Sequence, residues 1–279
     1  MKSVFIFGLV FSLALLVGPA HALEPFVPYD NFNTIFLDPD KWIGQEPNTG
    51  VLILENSREN FLGHVHFRSR VYTDSDGGGG FGGSRLIFAE AGKVTAIKAK
   101  VQVIYVEAKG CATDPTNNYT RAAVRLGGFF FNTGPPPTTA GNAVNDVFAG
   151  VSVQRLSNST DKPQVLKVVG SVAKCLNSNC TSSTPIYSVD LGTTSLWSTV
   201  SVSIQWDKDN HQFIFALDGY PKTYFPYNIL TYPDTLPPGL IQKRIEVQGL
   251  LPNCTGEPQP VAFIDAFLDD VFVNQGAAP

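Results

Sequence analysis

The sequence predicts an all-β protein made of two packed antiparallel sheets, and three observations carry that reading. The first is periodicity. Val200, Val202, Ile204 and Trp206 alternate with Ser201, Ser203 and Gln205, and after the polar turn Asp207-Lys208-Asp209-Asn210 the same two-residue period resumes in Phe213, Phe215 and Leu217. That is the pattern of a half-buried hairpin, and Asp218-Gly219 then opens a second turn with a residue that accepts positive φ. The second is composition: 25 Gly, 20 Pro and 20 Phe in 279 residues, with a single methionine at the start, leave a chain of turns and of Val, Ile, Phe and Thr, which is sheet usage. The third is that nowhere does an apolar period of 3.6 persist for three turns.

The first element is a leader. Lys2 precedes the apolar run VFIFGLVFSLALLVG and the small-residue site Ala20-His21-Ala22, the three-part layout of a secretory signal peptide cleaved after Ala22. A membrane anchor is the alternative, but the run is short for a span and no stop-transfer pattern follows. Residues 1–22 are therefore read as a signal peptide and 23–279 as one domain, since sandwiches of this size are routinely single. No later segment is apolar enough to span a membrane, and the closing NQGAAP is no lipid-anchor tail. A secreted product, extracellular or periplasmic, is expected.

Strand-like runs then follow in order: GVLILEN, LGHVHFRSRVY, SRLIFAE, VTAIKAKVQVIYVEA, RAAVRLGGFFF, DVFAGVSVQRL, QVLKVVGSVA, IYSVDLG, the hairpin, RIEVQGLL and AFIDAFLDDVFV. The Gly-, Pro- and Asn-rich loops between them, among them DSDGGGGFGGS and NTGPPPTTAGN, are too short to link domains. About a dozen such strands bury their apolar faces by stacking two sheets.

Net charge is −4 with 16% charged residues, so there is no basic surface of the kind that binds nucleic acid. Four cysteines in a chain sent to an oxidising compartment read as two disulfides. Three pairings are open. The turn-forming LNSN between Cys175 and Cys180 favours closing that short loop, which leaves Cys111 with Cys254. The spacings do not resemble zinc knuckles. Asn118, Asn158, Asn179 and Asn253 each begin an N-glycosylation pattern.

Three stretches, YDNFNTIFLDPDKWIG, VSIQWDKDNHQFIFALDG and AFLDDVFV, resemble landmarks of the concanavalin A-like lectin/glucanase superfamily. These are its F-x-x-x-x-L-D-x-x-K-W opening, its W-D strand leading to an L-D-G turn, and its closing D-D-V strand. The resemblance implies a two-sheet antiparallel jelly-roll sandwich from about Phe26 to Val273. It also implies a structural calcium near the chain ends, for which Asp270 matches the aspartate such sites use; no other cofactor is implied. Endo-glucanases of the superfamily carry E-x-D-x-x-E on one strand, and this chain has no such run. In the nearest approach, FIDAFLDD, Phe263 stands where the first glutamate would be. Asp265 and Asp269, four residues apart on a strand, would sit about 13 Å apart, whereas glycosidases need about 5 Å or roughly 6.5–9.5 Å. No catalytic residue is assigned.

Polysaccharide lyases share the jelly roll and use a cation beside a uronate carboxylate, with His and Tyr as base and acid. His64, His66, Arg68, Arg70 and Tyr72 project to one face of their strand, and Arg121 and Arg125 do likewise on theirs. The lyase motifs R-x-E-x-R, Q-I-H and Y-x-K-x-G-x-Y are absent as such. These seven residues are candidates to line a glycan-binding groove, a solvated outer face being the plain alternative. The function expected is a secreted module that binds carbohydrate or a surface glycan, without a recognisable catalytic motif. A glycan-cleaving enzyme with a divergent site, or a structural or protein-interaction domain, is the alternative.

Overall fold

In the computed structural model, residues 23–73, 79–135, 139–254 and 259–279 are described; the expected leader lies outside them. The strands in chain order are β1 (Phe26–Asp30), β2 (Trp42–Gln45), β3 (Asn48–Thr49), β4 (Val51–Phe61), β5 (His64–Thr73), β6 (Gly80–Phe88), β7 (Ala96–Lys109), β8 (Arg121–Asn132), β9 (Asp146–Leu156), β10 (Val165–Cys175), β11 (Ser183–Ser195), β12 (Thr199–Asp207), β13 (Gln212–Leu217), β14 (Thr223–Pro226), β15 (Lys243–Leu251) and β16 (Val261–Asn274). Sheet A runs β14-β13-β12-β7-β16-β5-β4 with β1 also on β16, and sheet B runs β11-β10-β9-β8-β15-β6-β2 with β3 on β6. Every pairing is antiparallel, so the architecture is the two-sheet jelly-roll sandwich that the sequence predicts.

Alternation decides what lies between the sheets. Val65, Phe67 and Val71 of β5, Val124 and Leu126 of β8, Val151 and Val153 of β9, and Phe213, Phe215 and Leu217 of β13 all enter one apolar core. Trp206 packs against that core half-buried, its indole N–H donating to the Tyr227 hydroxyl at 2.8 Å. The sheets come close enough that a side chain at some positions would collide: a Cβ on Gly170 of β10 would lie 2.7 Å from Phe215 Cγ. Gly219 takes φ 84° in the turn after the hairpin, as its place in Asp218-Gly219 predicts.

The closing strand has two partners on one side. Val261–Leu268 of β16 pairs with β5, Val271–Asn274 pairs with β1, and β7 follows the other side throughout. The register slips between Asp269 and Phe272, and Asp270 takes φ 46° there, so the two aspartates of the D-D-V landmark form the bulge at which the strand changes partners. Both disulfides pair as expected, Cys111 with Cys254 and Cys175 with Cys180, at Cα separations of 5.3 and 4.9 Å. β1, β2, β3 and β14 are absent from the sequence reading because two to five residues show no period.

Candidate functional site

The seven residues singled out from the sequence do not share a surface. Val65, Phe67 and Val71 of β5 face the core, so His64, His66, Arg68, Arg70 and Tyr72 face out from sheet A. Arg121 and Arg125 of β8 face out from sheet B, on the far side of the sandwich. Strand parity predicts which residues share a face, but it is blind to which of two sheets a strand joins.

On sheet A three of the five β5 residues, His64, His66 and Arg68, are paired with carboxylates. His66 Nε2 lies 2.6 Å from Asp265 Oδ1, and Arg68 reaches Glu55 at 2.7 Å and Asp265 at 3.2 Å. His64 lies 3.5 Å from Asp269, and Arg68 and Arg70 both sit over the Phe263 ring. The Asp270 carboxylate lies 2.6 Å from Lys100 Nζ. Among the described residues no group of three or more His, Cys, Asp or Glu is placed to hold a metal. A calcium ion at Asp270 would have to draw its remaining ligands from carbonyl, amide or water oxygens.

Sheet B carries an open groove of about 770 Å³ on its outer face. Its floor comes from neighbouring strands in register: Glu246 of β15 stands opposite Arg85 of β6 on one side and Arg125 of β8 on the other. Arg244 precedes Glu246 by one pleat on the same strand. All three guanidinium groups converge on the carboxylate, Arg244 Nε at 2.9 Å, Arg85 Nε at 3.2 Å and Arg125 Nη1 at 3.3 Å. Arg125 also donates to Gln248 Oε1 at 2.8 Å, an oxygen that Arg121 Nη2 approaches at 3.4 Å. Phe148 of β9 backs the floor, with the guanidinium carbons of Arg125 and Arg244 at 4.8 and 5.2 Å from its ring centroid. Planar cations stacked on a ring are held in orientation with their N–H edges free to meet a ligand.

The walls follow from a second, smaller apolar cluster in which Phe129, Phe148, Ala143 and Cys175 pack outside sheet B, with Cys180 and Leu240 against them. The Cys175–Cys180 bridge pins the loop into β11 to this cluster, and Ser178, Asn179 and Thr181 form that side of the groove. Tyr119 and the stretch at Pro47, Asn48 and Thr49 line it elsewhere. A smaller cavity of about 160 Å³ lies by the 158–161 turn. There Arg155 already donates to the carbonyls of Asp161, Lys162 and Val165, so that guanidinium is committed to the turn.

Electrostatics set what the groove can do. Burial by itself would raise the Glu246 carboxyl, but the fields of Arg244, Arg85 and Arg125 outweigh it and hold the group down at about 2. It is a fixed anion, unable to act as a proton donor near neutrality. Burial also lowers Arg125, Arg85 and Arg121 from their ordinary value, yet a guanidinium stays charged in proteins. No described residue lining the groove is an Asp, Glu or His. Glycoside hydrolysis with two carboxylates has no pair here.

Arg85, Arg244, Glu246 and Gln248 were not among the residues picked from the sequence. The signal that would have found them is parity in RIEVQ, where Arg244, Glu246 and Gln248 fall on one face while Ile245 and Val247 fall on the other.

No family model matches the chain, and no curated protein matches it in sequence. Solved structures are similar to it in fold. The catalytic domain of an endo-1,3-beta-glucanase (laminarinase) from Thermotoga petrophila RKU-1 is 12% identical with a TM-score of 0.44, covering 91% of this chain and 100% of that one. A pseudo beta-1,3-glucanase of Mycobacterium tuberculosis is 11% identical with a TM-score of 0.40, covering 88% and 98%. The Emp47p carbohydrate recognition domain is 12% identical with a TM-score of 0.31, covering 87% and 94%. The likeness is one of architecture and says nothing of the ligand.

Proposed function

We propose that the chain is a secreted glycan-binding module and that its site is the groove on the outer face of sheet B. The observation that supports this most is the groove itself: a broad site with fixed polar groups on its floor, whose one underlying carboxylate is locked by three arginines. Long polar ligands are held by such rows of oriented donors and acceptors, whereas no described residue of the lining is an Asp, Glu or His that could serve as the carboxylate or imidazole of cleavage. Two disulfides fit an extracellular protein, and among the described residues no helix is long and apolar enough to cross a membrane.

Affinity electrophoresis against a panel of neutral and acidic polysaccharides, run beside assays for new reducing ends and unsaturated products, tests the reading. Retention without products, weakened by Gln248→Ala and unaffected by Arg70→Ala, is the expected result. Product formation would make the chain an enzyme. Retention lost with Arg70→Ala and kept with Gln248→Ala would move the site to sheet A.

A further inference from the structure

The charge on the groove floor does not balance. Arg85, Arg125 and Arg244 share one carboxylate, and among the described residues Arg121 has no acidic partner within ion-pairing distance, only the 3.4 Å approach to Gln248. Its Nε is buried without a hydrogen-bond partner. Among the described residues, four guanidinium groups against Glu246 leave three positive charges uncompensated in a chain whose formal net charge is −4. A buried, unpaired donor is costly, and a sequence gathering cations on one face against its own overall sign suits a ligand that brings the missing anions. On the floor itself stacking is less available to a neutral sugar, because Phe148 is only 7% exposed and two guanidinium groups already lie over its ring, although Tyr119 presents a more exposed ring on the wall.

We propose that the groove selects acidic glycans, and that Arg121 and Arg125, set by Gln248, receive an oxyanion of the ligand, either a uronate carboxylate or a sulfate ester. This rests on the groove being the glycan site. Arg121 and Arg125 stand four residues apart on one strand face, but their guanidinium groups converge on one oxygen, Gln248 Oε1, at 3.4 and 2.8 Å, so their N–H edges form a fork for such a group, and charge-assisted pairs of this kind are the strong ones. Glu246 acts as a positioning residue, holding Arg125, Arg244 and Arg85 in place.

The test uses the disulfide-bonded protein and matched ligand pairs: polygalacturonate against its carboxyl-reduced form, and dextran sulfate against dextran, with a single-stranded oligodeoxynucleotide as a polyanion without sugar acids. Binding is read by calorimetry at two salt concentrations. The expected result is binding to at least one acidic member, its neutral partner at least tenfold weaker, and affinity falling with salt. Arg121→Gln should weaken that binding by about ten- to a hundredfold, the range for a hydrogen bond to a charged group, while Arg121→Lys recovers part of it. Circular dichroism confirms that both variants are folded. Preference for polygalacturonate or for dextran sulfate identifies the oxyanion. Equal affinity for both members of each pair, or an unchanged Arg121→Gln, overturns acidic selectivity; if Gln248→Ala still weakens neutral binding, the groove reading stands. Oligonucleotide binding as tight as glycan binding also overturns the proposal. Binding to no glycan at all overturns both readings.

Discussion

At the scale of single residues, two buried charges bear most on stability. Glu246 is 1% exposed beneath three guanidinium groups. Glu246→Gln removes the carboxylate that these three groups share while keeping the shape, and should cost about 3–5 kcal/mol, the range for breaking a buried ion pair. Urea denaturation measures it. Because the folded carboxyl titrates near 2 and an unfolded one near 4.5, its contribution is complete above 4.5 and disappears as pH falls toward 2. Lys243 runs the other way. It is 2% exposed, its ammonium lies 4.7 Å from the Phe130 centroid, and burial lowers it to about 7, with Asp146 opposing the shift. Between about 7 and 10.5 the unfolded chain holds a proton there that the folded chain does not. Stability attributable to this group therefore rises with pH across that window. Lys243→Met should be more stable than the parent below pH 7, and the gap should close toward pH 10. Thermal melts of both proteins across that range check the closing of the gap, and a gap independent of pH would refute the assignment.

At the scale of elements, what the sequence reveals depends on length. The long strands are legible because six or more alternating residues show their parity, and the central hairpin falls at β12 and β13, where the sequence places it. β2, β3 and β14, with two to four residues each, have no period to read. Parity also groups His64 with Arg70 and Arg121 with Arg125 correctly, but sheet membership is set by long-range pairing, which left one half of the candidate site facing away from the other. Glu246 meets Arg85 and Arg125 only through a register joining segments more than a hundred residues apart in the chain. The disulfides separate by the same logic. They close loops of 143 and 5 residues, and by chain entropy the long one should be worth about 5 kcal/mol and the short one about 2. Denaturation of the Cys111→Ser/Cys254→Ser and Cys175→Ser/Cys180→Ser pairs should show that ordering, and the second pair should lose glycan retention out of proportion to its stability because it holds a groove wall.

At the scale of the whole molecule, the sandwich keeps its two outer faces chemically distinct. Sheet A presents basic and acidic side chains that neutralise each other locally, whereas sheet B gathers cations about one anion. Net charge, the quantity most easily read from a sequence, averages the two and hides both. The three tryptophans give this layout an optical consequence. Trp42 is buried with its N–H on Asp30 and Trp206 donates to Tyr227, while Trp197 is 66% exposed on the turn into β12; none lines the groove. Intrinsic emission should therefore shift to the red on unfolding yet stay nearly constant while a glycan fills the groove. A titration that quenches tryptophan would place the ligand elsewhere on the surface.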